Sequence, residues 1–531
     1  MVMIADLGVY GGVAWLERSG NGQFAAEFRC ELLPNTSYDI VSTDSGASLP
    51  NALLLRKWLQ TCDKRHSECH LRPGKEKFWP KRVINVGDFD KLTLDEEQLQ
   101  GKDYLALSHC WGLPEDKDEA EKQKNLFCTT TKNYKERLQG FSINELPKTF
   151  QDAVQVTRAL QKQYLWIDAL CIIQGLNGDW ESEAKTMADI FACAYCTIAA
   201  SSARGWGDGF LKPQSDPPDI GVQGTPSTPT CICDFDKDVD KGDLMKRAWV
   251  LQERVLSRRT IHFTAAHIYC ECGDGVLCEQ LKQLKPPPFR KQYFILDPHF
   301  PDRLNITGFE RTADFVQFLF GKYSTSSLSF ETDRDVAIYS LVVRIGEVLS
   351  TEVRYGIFRC FLGSLLLWRR VHEKSPPISY KDRTVPSWSW MAYSGGIDFI
   401  SDAKKDLLVP RFVDLGFADD GQTLNVKVRK FGGNCRMEQI GEEYAIINGT
   451  KEVGSLWFDV ADQISLEHCN CVVVSMIRDS SVFHSSVEDS RQTYHVLIIR
   501  EKAGSGVYER LGVGKVEAQY VSIDGVAGTL W

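Results

Sequence analysis

The apolar positions follow different rhythms in different parts of the chain. From 104 to 263, short apolar runs alternate with stretches of helical period. The runs at 104–108, 164–168, 197–200 and 260–263 are short, apolar or β-branched, and read as strands. Phe150, Ala153, Val154, Thr157 and Leu160 form a helical stripe past Pro147, and Trp180, Ala184, Met187, Phe191 and Ala194 form another. Strands alternating with helices of this length predict an α/β fold, a parallel sheet flanked by helices, over 101–285. Its last helix begins at Arg247, where Trp249, Gln252, Glu253 and Leu256 fall on one side, and it feeds the strand at 260–263.

Around this region the rhythm weakens. Residues 1–100 read as a mixed lead-in segment with a short helix at 53–59. The charged stretch 114–124 reads as a surface loop, and 201–243, rich in Pro, Gly and Asp, as a long polar loop. Pro286, Pro287 and Pro288 open a segment, 286–400, with three helical stripes at 309–320, 333–349 and 356–370. From 401 to 531 the apolar segments are short, alternating and separated by Gly, Asn and Asp, which predicts a C-terminal antiparallel β region.

Composition narrows the function classes. The chain has 531 residues, 43% hydrophobic and 25% charged, with a net charge of −9. That is a globular composition with several domains, and the acidic balance argues against a nucleic-acid or anionic-membrane surface. The longest apolar run, 360–368, falls far short of the roughly 20 residues a membrane span needs. The 17 cysteines are odd in number and irregularly spaced. With no secretory signal at the start of the given sequence, a reduced, cytoplasmic setting is the expectation.

In parallel α/β sheets ligands gather beyond the carboxyl ends of the strands, and the polar candidates fall there. Ser108, Trp111 and Gly112 follow the first strand, Asp168 and Gln174 the second, and Arg247, Trp249 and Glu253 belong to the helix before the last. A glutamate on an apolar helix face is expensive to bury unless paired or used, and Arg247, Arg254, Arg258 and Arg259 are the nearby candidate partners. Two indoles, carboxylates and an arginine at a sheet edge suit a nucleotide or another flat polar ligand. The competing reading is packing, with Asp168 capping a turn and Arg247 pairing with Glu253. Cys110 next to His109 lacks the geometry of a Cys–His pair, and no glycine-rich phosphate loop is present. Cys62, His66, Cys69 and His70, and separately His267, Cys270, Cys272 and Cys278, have zinc-ligand chemistry. The first group lacks a second pair at finger distance and the second places Cys270 and Cys272 on one strand face, so no metal site is expected.

Three blocks then carry a resemblance. Tyr104-Leu-Ala-Leu-Ser-His-Cys-Trp-Gly112, Leu165-Trp-Ile-Asp-Ala-Leu-Cys-Ile-Ile-Gln174 and Arg247-Ala-Trp-Val-Leu-Gln-Glu-Arg-Val-Leu-Ser-Arg-Arg259 resemble the signature blocks of the fungal heterokaryon incompatibility (HET) domain. Trp180, Glu183, Met187, Ile190 and Phe191 match the helix after the second block, and Pro386-Ser-Trp-Ser-Trp390 resembles a downstream segment. The chain departs from the pattern at Ile173 and His109, neither among the site candidates. The resemblance implies non-self recognition and programmed cell death, with a TIR/flavodoxin-like core. Some TIR relatives cleave NAD⁺ with a glutamate four residues after a tryptophan, the spacing of Trp249 and Glu253. On that footing Glu253 would be the catalytic carboxylate, Trp111 and Trp249 would stack on rings, Arg247 would meet phosphate, and Ser108 and Asp168 would hold ribose hydroxyls. NAD⁺ would be substrate, with no cofactor. A homo-oligomer or an incompatibility partner protein is the expected assembly. Two other readings stay open: a non-catalytic death-signalling module, and a scaffold recruited to act on a small molecule in secondary metabolism.

Overall fold

The apolar runs at 104–108, 164–168 and 197–200 become strands buried on both faces, as a sheet covered by helices requires. The computed structural model describes residues 5–6, 13–18, 24–28, 49, 51–66, 69, 78–96, 102–112, 116–211, 233–273, 275–279, 301, 304, 308–328, 330–371, 376–380, 383–400, 406–407, 415–433, 435–459, 465–478, 492–502 and 504–531. The chain divides into two compact units, 1–298 and 299–531. Strands of the first are β1 (Ala5–Asp6), β2 (Val13–Arg18), β3 (Phe24–Phe28), β4 (Val83–Asn85), β5 (Thr93–Asp95), β6 (Tyr104–Ser108), β7 (Tyr164–Trp166), β8 (Cys196–Ala199), β9 (Arg259–Phe263), β10 (Ile268–Cys272) and β11 (Gly275–Cys278). Its helices are α1 (Ala52–Arg65), α2 (Lys117–Phe127), α3 (Tyr134–Gln139), α4 (Lys148–Ala159), α5 (Asp168–Cys171), α6 (Trp180–Glu183), α7 (Met187–Cys193) and α8 (Ala248–Leu256).

β1, β2 and β3 form a small antiparallel sheet of their own, and the main sheet runs β11-β10-β9-β8-β6-β7-β4-β5. Its centre, β7-β6-β8-β9, is parallel throughout, because every link between those strands carries a helix that returns the chain to its starting edge. The expected parallel sheet is therefore mixed. β4 and β10 add antiparallel at the two sides of that centre, and β10 follows β9 through a short hairpin turn that cannot join parallel strands. Two of the edge strands come from before residue 101, so the sheet reaches into the expected lead-in segment. Phe150, Val154, Trp166, Phe191 and Ile198 pack the core against it. Where 114–124 was expected as a surface loop, the chain forms helix α2 from Lys117 to Phe127, whose N-terminus the Asp116 side chain caps by accepting from Glu119 N at 2.8 Å.

Helix α8 is buried along its length except at half-buried Trp249. Its Arg254 is anchored by a buried network. Nε and Nη2 fork onto Glu271 of β10 at 2.9 and 2.8 Å, Nη1 donates to Asp240, and His262 Nε2 meets Glu271 at 2.6 Å. Burial would raise the Glu271 carboxyl, but Arg254 and His262 together hold it at about 2.

In the second unit, Phe309–Ser324 and Val336–Val348 are helices as expected. The third expected helix, at 356–370, is instead strand Ile357–Phe358, helix Leu362–Leu366 and strand Trp368–Arg370. Gly356 turns the chain at φ +75°, where an added Cβ would meet Met391 and Trp390 below 3 Å. Beyond, Leu424–Lys430, Asn470–Arg478, Gln492–Glu501, Val507–Glu517 and Val526–Leu530 pair in a closed ring. The C-terminal β region is thus a barrel, and one of its pairings, between Val507–Glu517 and Val526–Leu530, is parallel where all were expected antiparallel. Buried Arg510 donates to Asp459 Oδ2 at 2.7 Å and lies 3.4 Å over the Trp368 ring. Among the described residues no helix is long and apolar enough to cross a membrane.

Arg254→Ala leaves Glu271 and Asp240 without their buried cation. It is expected to lower stability by about 3–5 kcal/mol, read as an earlier midpoint in chemical unfolding of the full chain followed by tryptophan fluorescence.

Candidate functional site

Ser108 is the last residue of β6, and α8 crosses to meet it. Ser108 Oγ donates to Glu253 Oε2 across 145 positions of sequence, with the two residues 3% and 7% exposed. Among the described residues Glu253 makes no ion pair, so the competing reading, in which Arg247 pairs with it, is not what the structure shows. Arg254 is taken by Glu271 and Asp240, and Arg259 pairs with Asp63 at 2.7 Å. Arg258 donates to the Cys69 and Ala194 carbonyls. Arg247, at the cap of α8, donates to the backbone oxygen of His109. Burial pushes the Glu253 carboxyl up to about 7, opposed by the Ser108 hydrogen bond and the charge of Arg247, and assisted by the charge of Asp168.

A second pair lies beside the first. Trp111 Nε1 donates to Asp168 Oδ2 at 2.8 Å, and His109 Nδ1 stands 3.8 Å from the other carboxylate oxygen. Asp168, the first residue of α5, also accepts from the adjacent Ala169 amide at 2.7 Å, and the start of α5 carries no side-chain cap, so the turn-capping reading weighed for it is not met. Burial holds His109 down to about 4, so it is neutral, and its Nε2 has no hydrogen-bond partner among the described residues. Trp111 stacks on Trp206 with centroids 5.7 Å apart. Gly112 bends the chain at φ +60° directly against Gly205, whose Cα would lie 2.4 Å from an added Cβ.

The other candidates are placed differently. Gln174 ties its own loop, its side-chain amide reaching the Asp168 carbonyl at 3.3 Å and its backbone amide the Thr129 carbonyl at 2.7 Å. Trp249 turns to Trp180, edge-on at 6.2 Å. So Ser108 meets Glu253 and Trp111 meets Asp168, while Gln174 and Trp249 serve the neighbouring loop and helix. Gln252 was named only as part of the stripe. Its amide is buried with neither end bonded among the described residues, an arrangement that carries a desolvation cost. Its place beside Glu253 in the stripe was the only signal in the sequence. A void about the size of one water molecule adjoins Ser108 and is lined also by Thr197, Ala199, Met245, Val250 and His262.

Chemically, the arrangement is a carboxyl that changes charge near neutrality, a hydroxyl that orients it, and a second carboxylate and a guanidinium close enough to bias it. Such groups suit stabilisation of positive charge developing on a bound ligand.

Residues 104–253 match the model of the family described as Heterokaryon incompatibility protein (HET). The match runs from the start of β6 into α8 and contains every candidate residue named for the site. Comparison with curated proteins and with solved structures returns no match.

Glu253 has a native pKa of about 7 against an ordinary 4.5, so the native state holds its proton more tightly than the unfolded chain. The resulting penalty is absent below the lower value, grows as pH rises between the two, and is complete above the higher. Glu253→Gln is therefore expected to raise the unfolding midpoint at about pH 8, by at most about 3 kcal/mol, and to leave it unchanged at about pH 4. Gly112→Ala, with its Cβ against Gly205, is expected to destabilise at both pH values, by a few kcal/mol.

Proposed function

With residues 104–253 forming a HET domain, we propose that this protein acts in fungal non-self recognition and programmed cell death. In this reading the domain binds a nucleotide and cleaves the nicotinamide–ribose bond of NAD⁺, with Glu253 as the catalytic carboxylate. The observation that carries it is the buried Ser108–Glu253 pair at the carboxyl edge of the parallel strands. The order β7-β6-β8-β9 is, in sequence of appearance, 2-1-3-4. Flavodoxin-like folds share that order and bind ligand at the switch between their first and third strands. Ser108 closes β6 and Ala199 closes β8, so Glu253 stands at the corresponding place. TIR-like ancestry of the core accords with that order.

Cleavage of a nicotinamide–ribose bond develops oxocarbenium character at the ribose. A carboxylate in a water-poor site stabilises that charge far better than it would in water. Arg247 is the cation available to a phosphate, Asp168 and Ser108 are the acceptors available to ribose hydroxyls, and the Trp111–Trp206 stack offers a flat apolar surface.

A second reading, the non-catalytic signalling module, is favoured by one observation. Glu253 is enclosed, and the void beside Ser108 holds no more than a water. In that reading the buried site holds the domain in one shape, and assembly with further copies or an incompatibility partner is the output. An enzymatic role requires the edge of the site to open.

Purified full-length protein is to be incubated with NAD⁺ while nicotinamide release is followed, for wild type and Glu253→Gln, before and after enforced self-assembly. Release by wild type and its loss in Glu253→Gln, at least 100-fold, is expected. Equal turnover by both, or none in any assembly state, removes the enzymatic claim. Cell death that persists in Glu253→Gln then establishes the signalling module.

A further inference from the structure

Helix α1 buries Leu55, Trp58, Leu59 and Cys62, a stripe at i, i+3, i+4 and i+7. His66 follows four residues after Cys62, where the chain leaves the helix with the His66 amide bonded to the Cys62 carbonyl at 3.1 Å. A tight turn comes next, Cys69 N donating to His66 O at 3.0 Å. The fourth residue arrives from the far end of the sequence. Cys272, last residue of β10, lies with its Sγ 3.5 Å from His66 Nδ1. Cys62, Cys69 and Cys272 are 2%, 0% and 6% exposed and form a cluster apart from the main core. The ligand atoms of all four residues lie within 4.8 Å of one another. The two cysteine–histidine groups legible in the sequence are therefore regrouped: Cys272 leaves the second and completes the first.

We propose that Cys62, His66, Cys69 and Cys272 bind one zinc ion, which fastens helix α1 to strand β10. Three thiolates and an imidazole are a standard structural donor set for zinc. Tetrahedral bonds of about 2.3 Å to sulfur set two sulfurs about 3.8 Å apart, within the spread found here. Soft sulfur donors exclude magnesium and calcium, which take oxygen. Arg259 stands opposite Cys272 in the β9–β10 pairing and pairs with Asp63 of α1 at 2.7 Å, holding the two ligand-bearing elements in register. Arg258 fixes the turn by donating to the Cys69 carbonyl at 3.2 Å. A divalent cation bound here displaces the thiol protons to solvent.

The site has a plain structural use. All four ligands lie outside 104–253, two segments that flank the HET match in sequence and meet in space. The metal adds to the apolar packing of Leu55, Trp58 and Leu59, the Asp63–Arg259 ion pair and the hydrogen bond from Tyr195 to Asp63, which also hold helix α1 in place. The metal closes a loop of some two hundred residues around the domain.

The test is metal analysis of the full chain, expressed with zinc in the medium and purified without chelator. One zinc per chain is expected in this site. Cobalt(II) exchanged into it should give the intense visible bands of tetrahedral cobalt with thiolate charge transfer. Cys272→Ser should lower the zinc content by one atom per chain, His66→Cys should retain it, and Cys360→Ser, in the second unit, should leave it unchanged. A wild type without zinc and without the cobalt spectrum overturns the proposal, and needs no variant to fold. Zinc content unchanged in a folded Cys272→Ser also overturns it, as does iron with acid-labile sulfide in place of zinc.

Discussion

The arrangement of the first unit depends on adjacent residues of opposite charge in a helix with almost no exposed surface. Arg254 and Glu253 stand side by side in α8, yet they do not answer each other. The guanidinium turns to Glu271 and Asp240 and is neutralised there with good fork geometry, the condition under which a buried ion pair is tolerated. Among the described residues that leaves Glu253 a buried carboxyl without an ion pair, bonded by the Ser108 hydroxyl. Both residues are buried, so neither relaxes by turning to solvent. The raised pKa of Glu253 follows first from that burial.

The parts of this fold that read clearly in the sequence are those in which one physical signal dominates. The parallel strands are short apolar runs, because helices cover both faces, and α1 and α4 carry largely apolar stripes. Val83–Asn85 and Thr93–Asp95 are too short for periodicity to register, and they join the sheet through long-range pairing that no local pattern encodes. Helix α2 failed differently. It is polar nearly all round, so its evidence was confined to Asp116 at the N-cap with Glu119 three residues on, a cap pattern without an apolar stripe behind it. In 356–370 an apolar stretch of helical appearance was cut by Gly356 at positive φ, and the indoles of Trp368 and Trp390 took up the core instead.

For the site, sequence supplied the residues and the sheet rule supplied the edge, but not the partners. Ser108 with Glu253 and Trp111 with Asp168 lie 145 and 57 positions apart, and nothing local distinguishes those pairings from several others. Four arginines were candidate partners for the buried glutamate. Glu271, Asp240, Asp63 and backbone carbonyls compete for the same guanidinium groups, and the competition is settled in space. The cysteines illustrate the same limit. Spacing rules look for ligands in local pairs, whereas a cluster closed by one residue some two hundred positions away has no spacing to read.

Burial and ionisation of Glu253 are coupled, and the coupling bears on how such a site would work. In the enclosed form desolvation is the largest influence on the carboxyl, and it favours the neutral acid. A neutral acid lends little to a developing oxocarbenium. Any event that parts α8 from the end of β6 lets water reach the carboxyl, returns its pKa toward the ordinary range and creates the charge that chemistry there would need. The reverse also holds by linkage: whatever stabilises the ionised carboxylate, such as a cationic ring held against it, favours the open form by the same free energy. An enclosed carboxyl that changes charge near neutrality is therefore compatible with a switched activity. The group that would do the chemistry is the same group whose charge holds the site open.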